Sequence, residues 1–145
     1  MKIIVQRVKN ASVKVNQEII ANINQGYLLY VGMTHNDDEK TVIKAATKVK
    51  NLRVFEDEHG KMNLNLKTIG GSILAVSQFT LYGDTKGNNR PSFIQAAKPE
   101  QAEVLYNKFV DCLKSDFHVE SGIFQSHMEI SSINDGPVTI IIEID

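Results

Sequence analysis

Two periodicities divide the chain into strand-like and helix-like stretches. Across residues 3–31 apolar residues recur at every second position or run together, as β-strands require. Ile4, Gln6 and Val8 alternate with Ile3, Val5 and Arg7, so an arginine shares a face with two aliphatic side chains. Ala11, Val13 and Val15 alternate with Ser12, Lys14 and Asn16, which predicts a half-exposed antiparallel strand. Residues 19–23 form a third short strand, and Asn24-Gln25-Gly26 supplies a turn. Tyr27-Leu28-Leu29-Tyr30-Val31 is apolar on both faces and predicts a central strand.

The pattern then turns helical. Asn36-Asp37-Asp38 offers a cap and first-turn acids, and Val42, Ala45, Ala46, Val49 and Leu52 follow at helical spacing. Lys44, Lys48 and Lys50 lie off that stripe and read as a solvated face. Residues 55–63 look like a turn-rich connection. Gly70-Gly71 opens a buried strand, Ile73-Leu74-Ala75-Val76, that continues into Ser77-Gln78-Phe79-Thr80-Leu81. A turn-rich surface loop carrying Lys86 and Arg90 comes next. Pro99-Glu100 begins a second helix whose stripe is Ala102, Leu105, Phe109, Cys112 and Leu113. Met128, Ile130 and Ser132 alternate along one last strand, and Val138, Ile140, Ile142 and Ile144 along another. Ile133-Asn134-Asp135-Gly136-Pro137 reads as a hairpin turn between them. The expected fold is α+β: one domain over residues 1–145, with a curved, largely antiparallel, barrel-like sheet and two main helices.

Composition narrows the function classes. A net charge of −1 over 145 residues argues against a protein that coats nucleic acid through a general basic field. Contact with phosphates would need a local cluster of Lys and Arg. Apolar runs fall far short of the roughly 20 residues that cross a bilayer, and no signal peptide is visible. One cysteine, Cys112, excludes an intrachain disulfide, and its place on a helical stripe marks it as core rather than nucleophile. A cytoplasmic protein is the expectation.

Familiar catalytic patterns are missing. His35, His59, His118 and His127 show no HxxxH or HExxH spacing, so no metal is expected, and His118 and His127 read as surface residues. Gly83 and Gly87 match no phosphate loop, and there is no GxSxG elbow. Polar residues where a buried strand should stay apolar single out Ser77, Gln78 and Thr80, because unpaired buried polar groups cost about 1–3 kcal/mol each. Thr80 is either a hydroxyl bonded to backbone, the better reading of the residues alone, or a nucleophile that needs a base from elsewhere. Gly136-Pro137 is either a plain turn or a rigid main-chain element that approaches a ligand closely.

Six blocks bear on these alternatives. They are Val5-Gln6-Arg7-Val8, Leu52-Arg53-Val54-Phe55-Glu56-Asp57, Gly60-Lys61-Met62-Asn63, Ser77-Gln78-Phe79-Thr80-Leu81, Asn89-Arg90-Pro91-Ser92-Phe93 and Asn134-Asp135-Gly136-Pro137-Val138-Thr139. In this order and along its whole length, the chain resembles the D-aminoacyl-tRNA deacylases, also called D-tyrosyl-tRNA deacylases. The resemblance implies a homodimeric esterase, with no cofactor or metal, that frees tRNA from D-amino acids and from glycine. It implies a pocket lined by Ser77, Gln78, Phe79 and Thr80. It also implies a cis Gly136-Pro137 element that reaches into the partner subunit's pocket and rejects L-amino acids, with Arg7 holding that element.

The physical logic of such a gate is steric exclusion by main chain, which cannot rotate away. Because the ester is already activated, positioned donors at the Phe79 and Thr80 amides are candidates for an oxyanion hole. Phe124 and Met128 are candidates for the terminal adenosine of the tRNA, and Lys86 and Arg90 for its phosphates. One departure stands out: Gln125 occupies a position where these deacylases usually have glycine. The competing function is a non-catalytic tRNA-binding β domain.

Overall fold

The computed structural model describes residues 1–145. Strand β1 (Lys2–Val15) is its axis. One edge of β1 pairs antiparallel with β8 (Glu129–Glu143), from Lys2 opposite Glu143 to Lys14 opposite Glu129. The other edge pairs antiparallel with two strands in succession. Residues 2–8 meet β3 (Gly26–Gly32), and residues 11–15 meet β2 (Glu18–Ile23). From β3 the sheet continues in parallel to β6 (Ser72–Ser77) and then β7 (Val119–Ser121). The order is β2-β1-β3-β6-β7, and β2 curls round to approach β6 and β7. The sheet is therefore mostly antiparallel, curved and barrel-like.

Residue parity along β1 explains how the curved sheet separates two cores. Ile3 and Val5 face the helices, whereas Val8, Ala11 and Val13 belong to the apolar interior on the opposite side. The change of face from Val5 to Ala11 requires an irregularity, and the β1–β8 register shifts on both sides of Val8. Strand β8 switches with it. Met128 and Ile130 pack on the barrel-side cluster, and Val138, Ile140 and Ile142 on the helix-side cluster. Leu28 and Leu74 fill one core while Leu29 and Ala75 fill the other, so β3 and β6 are buried on both faces as central strands.

Helices α1 (Glu39–Asn51) and α2 (Pro99–Lys114) pack together over the helix-side face. Asp38 caps α1 by accepting from the Thr41 N–H at 2.9 Å, and Thr41 answers from its side chain in a capping box. Pro99 stands in the first turn of α2 as expected. Tyr106 and Val110 join Leu105, Phe109 and Leu113 in its buried stripe, while Ala102 and Cys112 are only half-buried. No helix is long and apolar enough to cross a membrane.

Three local expectations are corrected. Residues 55–63 are not simply a connection: β4 (Phe55–Glu56) pairs with β5 (Met62–Leu64) in a hairpin. Its turn is held by the Asp57 carboxylate, which accepts from the His59 and Lys61 amides at 2.9 and 3.0 Å. Strand β6 stops at Ser77, and Phe79–Tyr82 forms a 3-10 turn instead of more strand. The two C-terminal strands are one, β8. Asn134-Asp135-Gly136-Pro137 is an irregularity inside it, because both flanks pair with the same long strand.

Candidate functional site

Adjacent parallel strands leave a crevice at their carboxyl ends, where ligands commonly bind. Here β3 and β6 end at that level, and a cavity of about 730 Å³ opens beside them. Its walls come from the ends of β3 and β6, the start of α2 and the segment between β7 and β8. Ser77, Gln78 and Phe79 line it, as do Phe124, Gln125 and Met128. Two stretches singled out separately, residues 77–79 and 124–128, are thus brought to one place.

Close packing builds the wall that carries Phe124 and Met128. A Cβ on Gly122 would lie 2.5 Å from Met128 Sδ and 2.8 Å from Val76 Cγ1, so the glycine lets this segment close on β6. Phe124 leans on Tyr106, ring centroids 6.1 Å apart. The Tyr106 hydroxyl donates to the Ala75 carbonyl at 2.9 Å and meets Ser121 Oγ at 2.5 Å, joining α2 to β6 and β7. Burial pushes the Tyr106 hydroxyl pKa up, so it stays a neutral donor. Sequence reasoning missed Tyr106 as a wall residue, since a tyrosine on a helical stripe reads only as core.

The Ser77–Thr80 stretch presents main chain. The Gln78 amide donates to the Val31 carbonyl at 2.8 Å, the Leu81 amide to Gln78 at 3.3 Å and the Gly83 amide to Thr80 at 2.9 Å. The amides of Phe79 and Thr80, the first two of the 3-10 turn, have no acceptor within that turn, and neither donates to a side chain. Thr80 itself is exposed and does not line the cavity. Its hydroxyl accepts from the Gln78 side-chain amide, which cannot take up a proton, and no imidazole or carboxylate bonds to it.

Neighbouring packing fixes this turn. The Phe79 ring is exposed and meets Phe93 edge to face, centroids 5.1 Å apart and planes at 72°. A Cβ on Gly83 would fall 3.0 Å from the Phe93 ring and 3.1 Å from the Thr80 carbonyl, so Phe93 closes over the turn at a residue without a side chain. The loop between them is pinned by paired Asp84–Ser92 main-chain bonds of 2.8 Å. Lys86 and Arg90 ride on this loop, exposed, and neither lines the cavity. Lys98 and His127 do line it. His127, exposed as expected of a surface residue, stands at the cavity wall. No Asp or Glu is among the lining residues.

Arg7, Gly136 and Pro137 form a second cluster. Arg7 is buried, with Nη1 donating to the Val54 carbonyl at 2.7 Å and Nε to the Asp135 carbonyl at 3.1 Å. Carboxylates of Asp135 and Glu56 stand 3.5 and 3.9 Å from the guanidinium. Gly136 has φ +127°, and the Gly136-Pro137 peptide is cis. Asn134 braces the element by accepting from the Val138 amide at 3.2 Å and donating to Thr139 Oγ1 at 3.0 Å. Gly136 and Pro137 are exposed. None of Arg7, Gly136 or Pro137 touches the cavity of its own chain. Arg7 stands opposite Tyr27 on β3 and Ser77 opposite Val31, a separation of about 13 Å along the strand.

Known proteins resemble this chain along nearly its whole length. The family model described as D-Tyr-tRNA(Tyr) deacylase matches residues 4–143. A D-aminoacyl-tRNA deacylase of Chloroherpeton thalassium is 52% identical over 145 residues, covering 99% of this chain and 95% of the relative. Its counterpart in Symbiobacterium thermophilum is 51% identical over 144 residues, with the same coverage of both chains. Among solved structures, a c-Myc DNA unwinding element binding protein superposes with a TM-score of 0.93 at 40% identity, covering 99% of this chain and 98% of its own. A probable eukaryotic D-amino acid tRNA deacylase, 16% identical and with 97% of each chain covered, shares the fold at a TM-score of 0.85. With nearly every residue matched by the family model and about half identical to curated relatives, the chain belongs to the D-Tyr-tRNA(Tyr) deacylase family.

Proposed function

We propose that this chain is a hydrolase that cleaves the ester between a D-amino acid and the terminal ribose of tRNA, and that it also releases glycine. The observation that carries the reaction is the pair of amides at Phe79 and Thr80 that begin the 3-10 turn beside the cavity, where the turn itself gives them no acceptor. Attack of a water oxygen on the ester carbonyl carbon puts negative charge on the carbonyl oxygen, and two preorganised N–H donors stabilise that charge. A donor of this kind contributes about 10²–10³ in rate. The carbon–oxygen ester bond then breaks, and the water's proton passes to the ribose oxygen, giving free tRNA and amino acid. The vicinal ribose hydroxyl assists the attack. Thr80 Oγ has no base and stands outside the cavity wall, so no step is assigned to it.

Selectivity for the D-enantiomer belongs to main chain. Gly136-Pro137 of one subunit faces the cavity of the other and collides with an L side chain, while a D side chain points away and glycine has none. Separation of the element from the cavity within one chain supports this placement across a dimer, as does the outer edge of β8, which pairs with no strand of its own chain. Arg7 holds the element through the Asp135 carbonyl. Phe124 and Met128 receive the terminal adenosine, and Lys86 and Arg90 meet phosphates outside the cavity. The enzyme works in the cytoplasm, where charged tRNA is found.

The competing reading is a β domain that captures charged tRNA without cleaving it. Incubating the protein with D-Tyr-tRNA and L-Tyr-tRNA separates the two. Release of D-tyrosine at a much higher rate than L-tyrosine is expected. Binding of both without release would sink the enzyme reading, and equal release of both would sink the gate.

A further inference from the structure

Three residues other than glycine adopt positive φ: Asn16 at 48°, Gln17 at 68° and Gln125 at 63°. Asn16 and Gln17 are the two residues that join β1 to β2. A left-handed pair is what a two-residue hairpin between right-twisted strands demands, so local structure accounts for them. Gln125 also takes its positive φ from a turn, at the third of four positions where glycine is the usual choice, so local structure leaves only the glutamine side chain without an account. It lies in the segment between β7 and β8, in a turn closed by the Ser126 amide on the Ile123 carbonyl at 3.2 Å. A side chain held in this conformation costs roughly 1–2 kcal/mol that glycine avoids.

What the side chain does is visible in what it leaves undone. The Gln125 amide is exposed, bonds to no other group of the chain and stands at the wall of the cavity between Phe124 and Met128. Side chains that justify a left-handed turn locally, Asn above all, bond back to their own backbone. This one makes no such bond and belongs to a residue that lines the cavity. With no carboxylate among the lining residues, no charged acceptor in the wall competes for the amide hydrogens.

We infer that Gln125 reads the base of the nucleotide that enters this cavity and selects adenine. A glutamine amide matches adenine at two points: its oxygen accepts from the 6-amino group, and its NH₂ donates to the adjacent ring nitrogen. Phe124 beside it offers a face on which the same base stacks. Gln125 is thus a specificity residue for the RNA end of the substrate, separate from the main-chain elements that handle the amino acid. The inference rests on the terminal-adenosine reading of the cavity given above.

Glycine suits the backbone at 125 better than glutamine does, so Gln125→Gly removes the amide without endangering the fold. The experiment titrates the full-length protein and this variant with adenosine and with purine riboside, the same nucleoside lacking the 6-amino group, by NMR chemical shift. The unsubstituted protein is expected to bind adenosine about three- to tenfold more tightly than purine riboside, the worth of one hydrogen bond. Gln125→Gly is expected to bind the two alike and to melt no lower. A preference retained in Gln125→Gly, no preference in the unsubstituted protein, or a variant that melts several degrees lower would each overturn the inference. Deacylation of D-Tyr-tRNA, measured in parallel, keeps the two readings apart. Absence of a nucleoside preference in the unsubstituted protein, with its deacylation intact, removes only the role of Gln125. An intact preference with no deacylation supports the base reading and removes only the proposed reaction.

Discussion

Arg7 Nε donates to the main-chain carbonyl of Asp135 at 3.1 Å, one residue before Gly136-Pro137, and its Nη1 simultaneously binds the Val54 carbonyl at 2.7 Å. A single buried side chain therefore joins β1, the segment leading into the β4–β5 hairpin, and the irregularity in β8. An arginine on an aliphatic face demanded such partners, and they are mostly main-chain oxygens rather than a tight ion pair.

Arg7→Ala strips both carbonyls of their donor in a buried setting. Stability is expected to fall by about 3 kcal/mol, read from chemical denaturation, because each orphaned polar group costs about 1–3 kcal/mol. Arg7→Lys restores the charge without the planar fork and is expected to recover less than half of the loss. A fully stable Arg7→Ala protein would show that the element is held by something else.

At Gly136 a Cβ would lie 2.8 Å from Val138 Cγ2 and 3.1 Å from Arg7 Nη2, at a φ of +127° that L side chains rarely adopt. Gly136→Val is expected to cost about 2 kcal/mol in stability. Its ratio of D-Tyr-tRNA to L-Tyr-tRNA hydrolysis is expected to drop. A folded variant with an unchanged ratio would contradict the main-chain gate.

Thr80 separates side chain from main chain. Thr80→Ala deletes a hydroxyl that accepts only from the Gln78 amide, and the rate is expected to stay within about tenfold of the original. Replacing the Phe79–Thr80 peptide bond by an ester keeps the side chain and deletes the N–H, and kcat is expected to fall by about 10²–10³. The reverse ranking in single-turnover kinetics would return Thr80 to the role of nucleophile.

The Asp57 carboxyl is held below the usual carboxylate range, chiefly by the Lys61 amide, then by the His59 amide and the Asn63 side chain. In the folded hairpin it thus binds its proton at lower pH than in the unfolded chain. Its contribution is complete above about pH 4–5 and fades as the pH falls through the folded value. Hydrogen-exchange protection of the His59 and Lys61 amides is expected to hold at pH 5 and to drop only once the pH falls below the usual carboxylate range. In Asp57→Asn it is expected to be weaker and flat over that interval.

Much of the architecture was legible because it is written in alternation. The odd positions from Ile3 to Arg7, the doubly apolar run over residues 27–31 and the stripes of α1 and α2 all fall where their periods put them. What escaped depends on pairing with distant strands. Asn134-Asp135-Gly136-Pro137 has the composition of a hairpin turn, yet β1 is long enough to pair with both flanks and keeps them in line. Ser77 looked like mid-strand because composition does not register that β3 ends beside it; β6 has no partner beyond that point and tightens into a 3-10 turn. Residues 77–80 were legible as special, but not the pair of turn-opening amides, which exist only once that turn forms. Gln125 stood out by comparison with related glycines, and its left-handed backbone is the physical content of that difference.

The ladder between β1 and β8 also sets an order of events during synthesis. Arg7 meets Asp135 across 128 residues of chain. On the ribosome, β1, β2 and β3 emerge early and can pair locally, but the other edge of β1 stays bare until residues 129–143 have been made. Such an edge, apolar and unpaired, invites adhesion to other chains. Contacts this distant in sequence also slow folding, because a long loop must close before they form. Any substitution that weakens the β8 flank would therefore reduce yield by aggregation of the nascent protein before it impaired the finished molecule.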